Sequence, residues 1–235
     1  MISIVVTELG DRMIEKVRNF IERYKYALVF CYIPFYFVWF SALEKRTTVE
    51  FNYMHCVVDD WIPFCEYFIV PYLFWFVYIA VTVIFLLVQT KHPEDFFRCA
   101  SALIMGMTVC LLVYSFFPNA QSMRPTSFER DNIFTRLVAM IYSTDTSTNV
   151  FPSIHVYNSL AIHMALCKSN ALQGRKGWKT ASLIVCMLIC ISTMALKQHS
   201  FMDVVAAGLL YLIIYKIVYR PTNLSTKFYP QHQRD

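Results

Sequence analysis

Three short polar clusters interrupt the apolar stretches of this chain, and each holds residue types that handle phosphate. They are Arg124-Pro125, Pro152-Ser153-Ile154-His155, and Lys197-Gln198-His199 followed by Asp203. His199 and Asp203 stand four residues apart, so on a helix their side chains share a face and touch. A carboxylate bonded to one imidazole nitrogen sets the tautomer and leaves the other nitrogen as a nucleophile, which attack on phosphorus requires. His155, opening another apolar run, would protonate the departing alkoxide as a general acid. Pro152 suits a first helical turn, and the N–H groups around Ser153 would then face an anion. Arg124 and Lys197 would bring the positive charge that a dianionic phosphate needs on leaving water.

The same residues have rival uses. A His-x-x-x-Asp pair also serves helix packing, and His155, His199 and Asp203 together form a set that can hold zinc. Ser153, Arg124 and Lys197 favour an anion over a cation, so neither a metal nor a cofactor is assigned. Ionisable residues inside apolar spans are costly and by default functional.

The elements that must position these clusters are membrane helices. Of 235 residues, 57% are hydrophobic and 16% charged, far from a soluble average. Apolar runs fall at about 26–43, 64–88, 99–117, 151–167, 181–196 and 202–219; several are shorter than the roughly 20 residues of a full span, and together they predict six transmembrane helices. Residues 1–25 alternate apolar and charged positions near helical spacing and predict an amphipathic cytoplasmic or interfacial segment. Residues 26–220 form the membrane catalytic domain and residues 221–235 a cytoplasmic tail. The N-terminal segment is longer and more polar than the n-region of a cleavable signal, so the first apolar run is expected to stay.

Of the 21 Lys and Arg residues, 15 fall on the side of the termini and six on the other. The positive-inside rule then puts both termini in the cytoplasm and all three polar clusters outside, in a multi-pass cell-membrane protein. The net charge of +5 belongs to this asymmetry. No basic stripe with interleaved aromatics marks a nucleic-acid partner; the expected partners are the bilayer and a lipid phosphate substrate. The eight cysteines lack ligand spacing and read as packing residues. Residues 118–150 make a connection too long to be a mere linker.

The three clusters are similar to the signatures of the type 2 phosphatidic acid phosphatases, membrane relatives of the vanadium haloperoxidases. Those signatures run Lys-x6-Arg-Pro, Pro-Ser-Gly-His and Ser-Arg-x5-His-x3-Asp; the matching stretches here are FPNAQSMRP, FPSIH and STMALKQHSFMD. The resemblance extends over about 64–219. It implies a six-helix membrane bundle and metal-independent hydrolysis of a lipid phosphomonoester or diphosphate. His199 would carry the phosphohistidine, His155 would be the acid, and Asp203 would support His199. Arg124, Ser153 and Lys197 would bind the phosphate. The chain departs from the signatures at Phe117, Ile154 and Thr193, which stand where a lysine, a glycine and an arginine are expected. Two cations are thereby lost, with Lys197 as a substitute. Such divergence resembles inositol phosphorylceramide and sphingomyelin synthases, so a phospho-headgroup transferase is the alternative reading. A non-catalytic lipid-binding or transport protein is a further one.

Other residues carry weaker expectations. His163, about 12 Å beyond His155 along a helix, is expected to make a packing or local hydrogen-bond contact. Glu66 is expected to face water, and Asp59-Asp60 to mark a helix start. Trp61, Tyr67, Tyr72 and Trp75 suit either an aromatic belt or a groove for lipid tails.

Overall fold

The computed structural model describes residues 2–220, with side chains in the first helix described at 13, 14, 16 and from 24 onward. The amphipathic face expected over residues 1–25 and the tail at 221–235 therefore lie outside, or largely outside, the described residues. Helix α1 (Ile2–Glu44) is a unit of its own, and its Tyr24–Glu44 portion is long and apolar enough to cross a membrane.

The second unit begins at Arg46. It contains β1 (Asn52–Tyr53), α2 (Val57–Trp61), α3 (Ile69–Leu87), α4 (Pro93–Phe116), β2 (Asn119–Ala120), α5 (Ile133–Thr144), α6 (Ile154–Lys168), α7 (Lys176–Ala195) and α8 (Phe201–Val218). Local chemistry sets several of the starts. Pro93 opens α4 with Glu94 and Asp95 in its first turn, where a fixed φ and negative charge suit the exposed N–H groups. Asn132 caps α5 by accepting from the Phe134 and Thr135 N–H groups at 2.9 and 3.0 Å.

The bundle core lies where α4, α6, α7 and α8 meet, around Ala102, Tyr157, Ala161, Cys186, Cys190, Ala207 and Ile214. Small residues let these helices approach closely. All eight cysteines are free, and Cys99, Cys110, Cys186 and Cys190 are buried. A second cluster, Ile69, Tyr72, Val138 and Leu196, packs α5 against α3 and the end of α7. The long connection at 118–150 is thus occupied by a short apolar helix seated on one end of the bundle.

The protein is an all-α membrane protein with five helices able to span by length and hydropathy: the Tyr24–Glu44 portion of α1, Glu66–Leu87, α4, α7 and α8. The sequence predicts a sixth at 151–167, where α6 has 15 residues. That is about 22 Å of helix, less than the roughly 30 Å of a hydrocarbon core. Its two flanks nevertheless meet the two ends of α4. The Tyr114 hydroxyl donates to the Pro152 carbonyl at 2.6 Å, and Asp95 Oδ2 accepts from Asn170 N–H at 2.7 Å.

Candidate active site

His199 and Asp203 meet, but not as two residues on one helical face. Helix α8 begins at Phe201, and the chain is extended at its cap, Ser200. Ser200 and Asp203 form a capping box: the Ser200 hydroxyl accepts from Met202 N–H, and Asp203 Oδ2 accepts from Ser200 N–H at 2.8 Å. This reciprocal pairing satisfies two orphan donors of the first turn. It also draws His199, one residue before the cap, to within 3.4 Å of Asp203 Oδ2 through Nδ1. Asp203 is fully buried, and its Oδ1 has no partner among the described residues.

A second acceptor settles the histidine's tautomer. His199 Nδ1 lies 3.0 Å from the Val150 carbonyl oxygen. A carbonyl only accepts, so Nδ1 carries the hydrogen and Nε2 the lone pair. Nε2 faces His155 Nδ1 at 3.3 Å, so His155 Nδ1–H donates to it. Val150 follows Asn149, whose φ of 57° turns the backbone, and Asn149 Oδ1 accepts from Arg46.

His155 sits in the first turn of α6, held between the rings of Tyr72 and Trp75 at centroid distances of 4.8 and 4.5 Å. These two α3 aromatics line the histidine rather than forming a belt around the protein. The Trp75 Nε1 donor is buried without a partner among the described residues. Ser153 is fully buried and caps α6 through Val156 N–H at 3.3 Å, while its own N–H donates to the Asp203 carbonyl at 3.2 Å. It therefore joins the starts of the two helices at which the histidines stand.

Both expected cations are committed to carbonyl groups. Arg124 Nη1 donates to the Tyr142 and Asp145 carbonyls, and Nη2 to Thr146 O and Gln198 Oε1. Its guanidinium also lies 4.6 Å over the Tyr142 ring. Lys197 occupies the left-handed region (φ 51°) just past the end of α7, and its ammonium donates to the Asp59 and Ile62 carbonyls, the former at 2.7 Å. At the positions where the signatures place cations, Phe117 packs against Phe151. The Thr193 carbonyl accepts from both Gln198 and His199 N–H.

Asp59 joins the candidate site although its local pattern reads only as a helix start. It does receive Cys56 N–H at 2.8 Å at the start of α2. Its carboxylate, on a residue 3% exposed, also accepts the Ser200 hydroxyl at 2.6 Å and Phe201 N–H at 2.7 Å. Burial pushes this carboxyl's pKa up, but hydrogen bonds from Ser200, Phe201 and Cys56 outweigh that and hold it below the ordinary 3.8. No local pattern marks a contact made across 141 residues of chain.

Glu66, expected to face water, is buried and accepts from Arg130 and Asn132, both at 3.2 Å. His163 makes the expected local hydrogen bond, to Ser182 Oγ at 2.9 Å. Between α3 and α7 a cleft of about 430 Å³ is lined by apolar groups including Phe68, Pro71, Phe74, Val185 and Leu188. Among the described residues, no three His, Cys, Asp or Glu side chains converge as metal ligands would.

Residues 121–226 match the model of the PAP2 superfamily. No curated protein and no solved structure matches the chain. The matched stretch contains all three polar clusters, Arg124, Ser153-His155 and Lys197-His199-Asp203, so the similarity to the PAP2 superfamily takes in the whole of the candidate site.

Proposed function

We propose that the protein is a membrane phosphatase that releases phosphate from a lipid through a phosphohistidine on His199. The observation that carries this reading is the His199 ring itself. Its Nδ1–H is held by the Val150 carbonyl beside Asp203, and its Nε2 lone pair is aimed at His155. When Nε2 attacks phosphorus, an N–P bond forms and the P–O bond to the lipid breaks, with protonated His155 giving its proton to the leaving oxygen. His155 then takes a proton from water, which attacks phosphorus and releases His199. Asp203 stabilises the positive charge that the ring acquires. The apolar cleft between α3 and α7 suits a hydrocarbon tail, and helices long and apolar enough to span suit a lipid substrate. With both termini cytoplasmic, the chemistry takes place at the extracytoplasmic face.

A phospho-headgroup transferase uses the same first step and differs in taking a lipid alcohol where the phosphatase takes water. Positions 117 and 193 hold Phe and Thr rather than cations, which favours this second reading, because a headgroup diester carries less negative charge than a phosphomonoester. His199→Ala is expected to abolish turnover of labelled phospholipid by the purified protein while leaving membrane insertion intact. Retention of a tenth or more of wild-type activity overturns the phosphohistidine. Activity is also expected to survive strong chelators.

A further inference from the structure

We propose that the phosphoryl group is received by neutral donors, the Gln198 side-chain amide and the Trp75 indole, and that the site therefore takes a monoanionic phosphodiester in preference to a dianionic monoester. This rests on the phosphohistidine chemistry proposed above and names its substrate class, which selects transfer or release of a phospho-headgroup over release of inorganic phosphate.

The first support is a charge balance. Arg46, Arg124 and Lys197 bond to the walls of the site, and so do three carboxylates. Asp203 and Asp59 hold the start of α8, and Asp145 accepts from the Tyr72 hydroxyl at 3.5 Å. The formal charges of these six groups cancel. The Nη groups of the two arginines and the Lys197 ammonium are directed at carbonyl oxygens: Arg46 at Tyr114 and Asn149, Arg124 at Tyr142, Asp145, Thr146 and Gln198, and Lys197 at Asp59 and Ile62. With protonated His155 the site carries one positive charge, which a monoanion balances, and a second negative charge on the phosphoryl group would enter a low-dielectric site with nothing left to meet it.

The second support is the set of donors left over. An arginine only donates, so the Gln198 amide must turn its oxygen toward Arg124, and its NH₂ group then points away. Gln198 is 2% exposed, directly precedes the nucleophile, and its Nε2 has no partner among the described residues. Trp75 Nε1 is likewise buried and unpartnered on the ring that packs against His155. Buried donors are expensive to leave unsatisfied, and these two lie next to the two histidines between which phosphorus must enter.

In the reaction, His199 Nε2 bonds to the phosphorus of the diester and one P–O bond breaks. The departing alcohol takes a proton from His155 while the second ester group stays on phosphorus. A water or alcohol O–H then gives its proton to His155 as its oxygen displaces the histidine. Throughout, the phosphoryl group keeps one negative charge, shared over the oxygens that face the two donors.

The test uses the full chain purified in detergent and two simple anions, dimethyl phosphate and methyl phosphate. At about pH 8 the first is a monoanion and the second, with a second pKa near 6, a dianion. Saturable thermal stabilisation gives an apparent Kd for each. Dimethyl phosphate is expected to bind at least about tenfold tighter than methyl phosphate. Gln198→Glu keeps the acceptor for Arg124 but removes the donor, and Trp75→Phe keeps the ring but removes the N–H. Each is expected to weaken dimethyl phosphate by about tenfold or more. If Gln198 served only to hold Arg124, the glutamate would preserve or strengthen that contact. Equal or tighter binding of methyl phosphate overturns the proposal, as does a Gln198→Glu protein that binds dimethyl phosphate within about threefold of wild type. If Gln198→Glu does not fold, the wild-type preference and Trp75→Phe decide by the same criteria. Failure of the wild type to bind either anion removes the phosphoryl site itself, and the proposed function with it.

Discussion

His199 meets two acceptors through one nitrogen, and they do different work. The Val150 carbonyl, at 3.0 Å, is the nearer and sets the tautomer; the Asp203 carboxylate, at 3.4 Å, supplies charge. Removing the charge while keeping an acceptor separates these roles. Asp203→Asn can still accept from Ser200 N–H, and Val150 still holds Nδ1–H, so Nε2 keeps its lone pair. What is lost is stabilisation of the positive ring formed on attack. We expect kcat to fall by about a hundredfold, with the residual activity well above that of His199→Ala. If the two variants are equally inactive in a phospholipid turnover assay, the carbonyl does not hold the tautomer and Asp203 alone does.

At the scale of elements, the site is made where the starts of α6 and α8 meet, and α2 holds that junction through Asp59. Three hydrogen bonds converge on this carboxylate. Asp59→Ala strands the Ser200 and Phe201 donors and is expected to cost about 2–3 kcal/mol. Asp59→Asn separates the charge from the shape. Because the folded pKa lies below the ordinary 3.8, the contribution of the charge is fully present above that value. It is lost as pH falls through the depressed folded value. The difference in melting temperature between wild type and Asp59→Asn is therefore expected to stay constant at neutral and mildly acidic pH and to shrink only below about 4. A difference that already shrinks near neutrality would assign the effect to another group.

The α4–α6 contact offers a second element-scale test. A Cβ added at Gly106 would lie 1.8 Å from Tyr157 Cζ, and that ring is tethered by its hydroxyl to the Ala102 carbonyl at 2.6 Å. Gly106→Ala must push α6, and with it His155, away from α4. We expect a loss of about 2–3 kcal/mol in unfolding together with a fall in activity. Gly208→Ala on α8 is the control, since nothing lies within 4 Å of the added Cβ and the helix gains propensity. Comparable losses in both variants would show that the Tyr157 contact is not what confines α6.

On the scale of the whole molecule, the segments that hold the site gather at one end of the second unit. Residues 52–53 pair with 119–120, Asp59 meets Ser200, and Glu66 meets Arg130. The turn at Asn170 meets the start of α4 at the opposite end. From the 15-to-six division of Lys and Arg we propose that the first end faces the exterior. In a background lacking native cysteines, a cysteine at position 126 is expected to react with an impermeant thiol reagent added to intact cells. A cysteine at position 176 is expected to be protected. Labelling only at position 176 reverses the topology.

Hydropathy and motif spacing are properties of consecutive residues, so the membrane class and the spacing of the polar clusters are legible without a structure. The same holds for the Ser200-Phe201-Met202-Asp203 capping box, a local signal that brings His199 to its carboxylate without placing both on a helix. The length of α6 is not legible, since its start is set by a Ser153 cap and a Tyr114–Pro152 contact rather than by where apolar residues begin. Nor are the partners of the polar residues. A lysine beside a histidine reads as charge offered to a ligand, yet the folded chain commits Lys197 to the Asp59 and Ile62 carbonyls. Burial obliges polar groups to find partners wherever the fold brings them. Asp59, the Val150 carbonyl and the unpartnered Gln198 and Trp75 donors acquire their positions only when segments far apart in the chain come together.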